Sequence, residues 1–168
     1  MTFQSNTFKH LALLAAFATV TLCATTAACA QSVDVRAAWA RATVQGQKGT
    51  GAFMTLTAKV ATKLVGVSSP VAGVAEVHEI KMDGDVMKMR ALADGLDLPA
   101  GKAVELKPGG YHVMLMDLKT PLKKDTTIPV TLLFKDAKGV QTKLELKLPV
   151  SQIPPAGASA GGHADHKM

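Results

Sequence analysis

Cysteine and aromatic residues are the scarcest chemical features of this 168-residue chain. Aromatic side chains make up 4% of the sequence, and both cysteines, Cys23 and Cys29, lie within the first thirty residues. A chain body without thiols can form neither a disulfide framework nor a thiolate zinc site. The small number of aromatic rings also argues against a surface that stacks on nucleic-acid bases. The fold must therefore rest on the packing of aliphatic side chains.

Strong charge of one sign is also missing. The formal net charge is +6, and the lysines occur singly or in pairs along the chain, with no basic run. A nucleic-acid-binding protein needs a concentrated basic stripe to neutralise phosphates. The sequence therefore predicts a solvated surface and no nucleic-acid partner.

The N-terminal thirty residues have the features of an export signal. The cationic Lys9 precedes the apolar run "LALLAAFATVTLCATTA", and the small residues Ala28 to Ala30 provide a cleavage site before Gln31. A lipid anchor at Cys29 is the alternative, but Thr26 stands three residues before it, where a lipoprotein site prefers an aliphatic residue. We therefore predict a signal peptide over residues 1–30 and a mature protein in the periplasm.

The chain after the leader is built from short apolar runs of β type, separated by Gly-, Pro- and Asp-containing turns. Many short strands at this spacing predict a single all-β domain, a β-sandwich or small barrel, over residues 31–153. The composition then changes, and residues 154–168 predict a flexible tail. The predicted strands are "GAFMTLTA" (51–58), "KLVGVSS" (63–69), "AEVHEIKM" (75–82), "DVMKMRAL" (85–92), "AVELK" (103–107), "YHVMLMDL" (111–118), "IPVTLLFK" (128–135) and "VQTKLELKLPV" (140–150).

The segment "VHEIKMDGDVMKMR" (77–90) predicts a β-hairpin, because Asp-Gly is a strong hairpin-turn signal. A two-residue loop at Asp83 and Gly84 places His78 directly opposite Met89 on one face. The same register pairs Glu79 with a lysine on the other face and leaves these charges in solvent. We therefore expect an imidazole and a thioether side by side on the ribbon.

A second histidine and methionine pair occurs in "PGGYHVMLMDLK". Alternate residues of a strand share a face, so His112, Met114 and Met116 project together. Neutral imidazole and thioether ligands suit Cu(I), whereas zinc prefers thiolates or carboxylates and calcium prefers oxygen. If this strand lies beside the hairpin, two histidines and two methionines converge on a copper site. The alternative is that they are ordinary packing residues, as Met54 is expected to be.

These residues resemble the signature of a known family, the periplasmic copper chaperones called PCu(A)C proteins. The family motif is His-x10-Met-x21-His-x-Met. Here ten residues separate His78 from Met89, and "HVM" supplies His112 and Met114. The interval from Met89 to His112 holds 22 residues, one more than in the motif. The similarity extends over residues 39–150, including "LKPGGYHVMLMDLK".

The resemblance implies a cupredoxin-like Greek-key β fold that binds one Cu(I) through His78, Met89, His112 and Met114. It also implies delivery of the ion to the copper subunit of cytochrome c oxidase, at its dinuclear centre, with Sco-type thiol proteins as further partners. A periplasmic protein that sequesters copper for tolerance would share the same site and is the alternative. No constellation of acid, base and nucleophile accompanies the ligands, so we expect a carrier, not an enzyme, without a small-molecule substrate.

Three further candidate ligands lie in the tail, namely His163, His166 and Met168. Some members of the family are similar in carrying such a tail, and imidazole nitrogens suit Cu(II). A coil of about 14 residues spans roughly 20 Å, which would let the tail reach a site on the domain. On the hairpin and the second strand, Met82, Met87 and Met116 are expected on the ligand faces and are candidates to assist binding.

Overall fold

The computed structural model describes residues 32–155, and these residues fold as ten β-strands without a helix. The all-β prediction is therefore confirmed for this part of the chain. The predicted signal peptide and the tail ligands His163, His166 and Met168 lie outside the described residues. No helix within residues 32–155 is long and apolar enough to cross a membrane. The strands are β1 (Val33–Arg41), β2 (Gly49–Ala58), β3 (Thr62–Ser68), β4 (Val74–Asp83), β5 (Val86–Ala91), β6 (Leu96–Leu98), β7 (Ala103–Leu106), β8 (His112–Met116), β9 (Thr127–Asp136) and β10 (Gln141–Ser151).

The strands form one hydrogen-bonded path in the order β5-β4-β8-β2-β1-β10-β9-β3-β6. The first half of β2 pairs with β8 and its second half pairs with β7. A short parallel contact, Ala40 with Val150 and Arg41 with Ser151, joins β1 to β10, whereas the other pairs of named strands are antiparallel. This order places β8 directly between β2 and β4.

Alternate residues of the strands meet in one aliphatic core. In β2, Ala52 and Met54 face this core, which confirms the expectation for Met54. The residues between them, Gly51 and Phe53, therefore point to the outer face of the sheet. The largest fully buried side chains include Leu56, Leu64, Leu98, Leu115, Leu132, Phe134 and Leu148. Removing one such leucine side chain typically costs about 2–5 kcal/mol of stability.

The eight predicted strands are all present, with ends that differ by at most two residues. Two strands, β1 and β6, were not predicted. β1 is rich in alanine, and its pairing with β2 shifts between Arg36 and Trp39, where Ala37 has φ of 50°. This irregularity breaks the alternation on which strand prediction depends. β6 has only three residues and lies between turns, so no periodic signal could reveal it.

The turn between β4 and β5 is formed by Gly84 and Asp85, not by Asp83 and Gly84 as predicted. Gly84 has φ of 62°. A type II′ turn places a glycine with positive φ at its first central position, whereas the predicted type I′ turn requires positive φ at both central positions. Gly84 has positive φ and Asp85 does not, so the loop matches type II′, with Gly84 at the first central position and not at the second as predicted.

The change of turn moves the pairing of β4 and β5 by two residues. His78 lies opposite Ala91, and Met89 lies opposite Ile80, so the predicted direct pairing of His78 with Met89 is wrong. Because side chains alternate with a period of two, a two-residue shift preserves the faces. His78 and Met89 therefore remain on one face as diagonal neighbours.

The other face of the hairpin is anchored by Glu79, which is 4% exposed and does not lie in solvent as predicted. Its carboxylate accepts hydrogen bonds from Arg90 at 2.9 Å and lies 3.0 Å from the Lys81 ammonium. The Lys81 hydrogen bond lowers the pKa of the Glu79 carboxyl most; burial opposes it, and Arg90 and Tyr111 lower it further. These ion pairs favour the observed register, which brings Arg90 directly opposite Glu79.

Candidate metal centre

The pairing of β4 with β8 brings the two histidines together. His78 and His112 are direct partners in the antiparallel register. Their ring centroids are 5.8 Å apart, and the ring planes are inclined by 59°. The condition set by the sequence, that the second strand lies beside the hairpin, is therefore met.

His112 is held in one tautomer by a backbone carbonyl just before β8. The ring is buried, and its Nδ1 lies 3.1 Å from the carbonyl oxygen of Gly110. A carbonyl oxygen can only accept, so Nδ1 carries the proton and Nε2 keeps its lone pair. Burial lowers the pKa of His112; the Gly110 hydrogen bond opposes this shift, and His78 adds to it. His112 is therefore a neutral imidazole near pH 7, the form that binds metals.

His78 is fixed in the opposite tautomer. Its Nε2 lies 3.0 Å from a carboxylate oxygen of Glu76, two residues earlier on the same face of β4. Since the carboxylate accepts, Nε2 carries a proton, and in the neutral ring Nδ1 keeps a lone pair. This Nδ1 is buried and has no hydrogen-bond partner within the described residues. Leaving a buried acceptor unpaired costs about 1–3 kcal/mol. A metal ion bound to Nδ1 would remove this cost, so the atom is suited to be a metal ligand.

Met114 lies two residues after His112 on β8 and therefore on the same face. In the register it is opposite Glu76 of β4 and Gly51 of β2. Its Cε would lie only 3.1 Å from a Cβ added to Gly49. The two glycines of β2 therefore leave room for the thioether chain to lie against the backbone of the sheet.

Met89 approaches from the hairpin strand β5 and is 53% exposed. Diagonal neighbours on one face of an antiparallel pair have a separation of about 7–8 Å, which long side chains span. The structure therefore places Met89 on the same face as His78 but at the solvent side of the histidine pair. The remaining methionines of this face are Met116, opposite Val74, and the pair of Met82 and Met87 at the hairpin tip.

An aromatic wall stands on the β2 side of the site. Phe53 and Trp39 are buried on the outer face with ring centroids 4.8 Å apart, and Phe53 lies 6.5 Å from the His112 ring. The guanidinium of Arg41 covers the Phe53 ring at 5.6 Å. Phe53, packed between Trp39 and Arg41, therefore covers one flank of His112.

Sequence reasoning missed the residues that support the histidines. Glu76 could have been found, because the spacing Glu-x-His on a strand puts the carboxylate and the imidazole on one face. The outward orientation of Phe53 was hidden, since Ala52 and Met54 on either side of it are apolar as well. Gly51 has no side chain to signal its role.

The donor set also discriminates between metals. Within residues 32–155, no group of three or more histidine, cysteine, aspartate or glutamate side chains is placed to hold a metal ion. Apart from the Glu76 carboxylate, which is hydrogen-bonded to His78, the donors that share the face of the histidine pair are thioethers, which select soft ions such as Cu(I).

Comparisons with known proteins support this assignment of fold and family. Residues 33–146 match the protein family described as "Putative lipoprotein LpqE-like". The protein "Putative lipoprotein Lxx21020" of Leifsonia xyli subsp. xyli (strain CTCB07) is 35% identical over 107 residues, which are 64% of each chain. The chain thus spans slightly less than two thirds of this relative's length.

Two solved structures share the fold. The solution structure of CuI-DR1885 from Deinococcus radiodurans is 32% identical, covers 74% of this chain and 83% of its own, and superposes with a TM-score of 0.56. The copper-bound PCuAC domain from PmoF2 is 22% identical, covers 71% and 92%, and also gives a TM-score of 0.56, a likeness of fold alone. The resemblance to PCu(A)C proteins and the cupredoxin-like β fold are confirmed. The chain therefore belongs to the LpqE-like family and folds as a PCuAC domain.

Proposed function

We propose that this protein is a periplasmic metallochaperone that carries one Cu(I) between His78, His112, Met114 and Met89. The observation that supports the proposal most is that Nδ1 of His78 is buried and, within the described residues, unpaired beside the second histidine, His112. Two imidazoles with fixed tautomers and adjacent thioethers form a ligand set for a soft, singly charged ion. The Cu(I) in the DR1885 structure agrees with this choice of ion.

The chemistry of the site suits transport. All four ligands are neutral, so the bound site keeps a charge of +1, which favours Cu(I) over Cu(II). Met89 is the most exposed of them, and an incoming ligand can displace it before the buried His112 is released. Thiolates bind Cu(I) more strongly than thioethers do, so transfer to a cysteine-bearing acceptor runs downhill.

The test is an anaerobic Cu(I) titration of the mature protein, residues 31–168, against a chromogenic competitor. Met114→Leu and Met89→Leu should each weaken binding roughly 10–100-fold, at least the effect of losing an outer-shell partner. Leucine is close to methionine in volume, so the fold should survive, as thermal unfolding would show. Met54→Leu, in the core and away from the ligand face, is the matched control. An unchanged dissociation constant in both variants would remove Met89 and Met114 from the site.

We further propose that the acceptor is the copper subunit of cytochrome c oxidase, with Sco-type thiol proteins in the same route. This step follows from the resemblance to the copper chaperones. In the organism, deletion of the gene should lower oxidase activity at ordinary copper levels. If the deletion instead impaired only growth at high copper, the protein would be a copper-sequestering protein, and the delivery role would be refuted.

The tail forms a separate part of the proposal. His163, His166 and Met168 are proposed to bind Cu(II) without affecting the Cu(I) centre. A protein ending at Ile153 should retain one tight Cu(I) and lose any additional Cu(II). Retention of all Cu(II) in the shortened protein would refute a metal-binding role for the tail.

A further inference from the structure

The tip of the β4–β5 hairpin exposes an unusual apolar pair. Met82 and Met87 are direct cross-strand partners, and they are 62% and 65% exposed. Large apolar side chains in solvent lose the stabilisation that burial provides, and they often mark a binding surface. Neither residue contributes to the core, so packing does not explain why both are methionine.

The phase of the hairpin brings the two thioethers close together. The amide of Leu92 donates to the carbonyl of Val77 at 2.8 Å, which makes this pair a hydrogen-bonded one. Hydrogen-bonded and non-hydrogen-bonded pairs alternate along an antiparallel ribbon, so Met82 and Met87 form a non-hydrogen-bonded pair. The Cα atoms of such a pair are only about 4.5 Å apart and the side chains are at their closest.

A third thioether lies next to this pair. Met89 is two residues beyond Met87 on β5 and shares its face, because it is opposite Ile80. The charged residues near the tip of the hairpin, including the opposed Lys81 and Lys88, project from the other face. The methionine face of the tip therefore presents sulfur donors without ammonium groups beside them.

From this arrangement we infer that Met82 and Met87 form a second and weaker Cu(I) site at the hairpin tip, which Met89 completes as a third donor when it is not bound to the histidine centre. Three neutral thioethers are a ligand set for a soft monovalent ion, and the absence of imidazole makes the site weaker than the histidine centre. Met89 lies between the two sites on the ribbon, diagonal to Met82 on one side and to His78 on the other. An ion bound at the tip can therefore pass to the proposed carrier site by exchanging ligands through Met89. This inference rests on the proposed carrier function.

Methionine methyl NMR of the full mature chain distinguishes the two sites. With 13C-labelled methionine methyl groups and anaerobic Cu(I) additions, the first equivalent should shift Met114 and a later one Met82 and Met87. The buried Met54 methyl is the internal control and should not move. Leucine at both tip positions should remove one weak equivalent and leave the first unchanged. Because each methyl is read separately, binding by the tail is not confused with binding at the tip.

Two results would overturn the inference. One is an unmoved pair of tip methyls after excess Cu(I) has been added. The other is an unchanged stoichiometry in the variant carrying Met82→Leu and Met87→Leu. Failure of the carrier site would look different, since the Met114 methyl and the ring signals of His78 and His112 would then stay unshifted at the first equivalent.

Discussion

Replacing Glu76 with glutamine tests whether the carboxylate holds His78 ready for copper. In the folded protein the Glu76 carboxylate lies 3.0 Å from Nε2 of His78, and this contact keeps the lone pair on the buried Nδ1. A glutamine has nearly the same shape but no charge. Its amide can also donate to Nε2, which would move the ring proton to Nδ1 and block the proposed ligand atom.

The expected size of the effect follows from the strength and exposure of this contact. A hydrogen bond to a charged group contributes about 1.5–3 kcal/mol, against about 0.5–1.5 kcal/mol for a neutral one. The Glu76 side chain is 44% exposed, so solvent screens it and the lower end of the difference applies. A loss of about 1 kcal/mol corresponds to roughly fivefold weaker Cu(I) binding, slightly below the tenfold that outer-shell changes usually cost at least.

The assay is competition for Cu(I) between the protein and a chromogenic chelator, with thermal unfolding of the metal-free protein as a check on the fold. Glu105→Gln is the matched control, because Glu105 is similarly exposed and, among the residues that the structure describes, pairs only with Lys107. The control should bind Cu(I) like the unaltered protein. Equal dissociation constants for Glu76→Gln and the unaltered protein would refute the positioning role of the carboxylate.

Two further predictions concern the scaffold. Gly51→Ala would put its Cβ 2.7 Å from the Phe53 ring, so we expect the free energy of unfolding, measured with denaturant, to fall by about 1–3 kcal/mol. The control is Gly110→Ala, whose Cβ would meet nothing nearer than 3.7 Å and should change stability little. Equal stability of the two variants would contradict the crowding argument. For Glu79, whose pKa is held below 4.5 chiefly by Lys81, the carboxylate's stabilisation is fully present above pH 4.5 and is lost as the pH falls further. Glu79→Gln should therefore be less stable than the unaltered protein at neutral pH, and the gap measured by thermal unfolding should shrink below pH 4.5; a gap independent of pH would refute the ion-pair explanation.

Much of the fold was readable from the sequence because β-strands leave a local signal. Alternation of apolar residues and the glycine-bearing turns located eight of the ten strands. β1 escaped because a bulge near Ala37 breaks its period, and β6 because three residues carry no period. The faces of His78 and Met89 were also predicted correctly, although their register was not. A face depends only on the parity of position, whereas the register depends on which residues form the turn.

The sequence by itself determined the chemistry available to this protein. It placed neutral nitrogen and sulfur donors on two strands, kept thiols out of the domain and gave the faces on which the donors project. Only the tertiary structure decided that β8 lies beside β4, since strand neighbours in an antiparallel fold depend on long-range packing. That pairing sets His78 against His112, and the carboxylate of Glu76 and the carbonyl of Gly110 then fix their tautomers. Pairing and tautomer depend on contacts between segments distant in the chain, which no local pattern records.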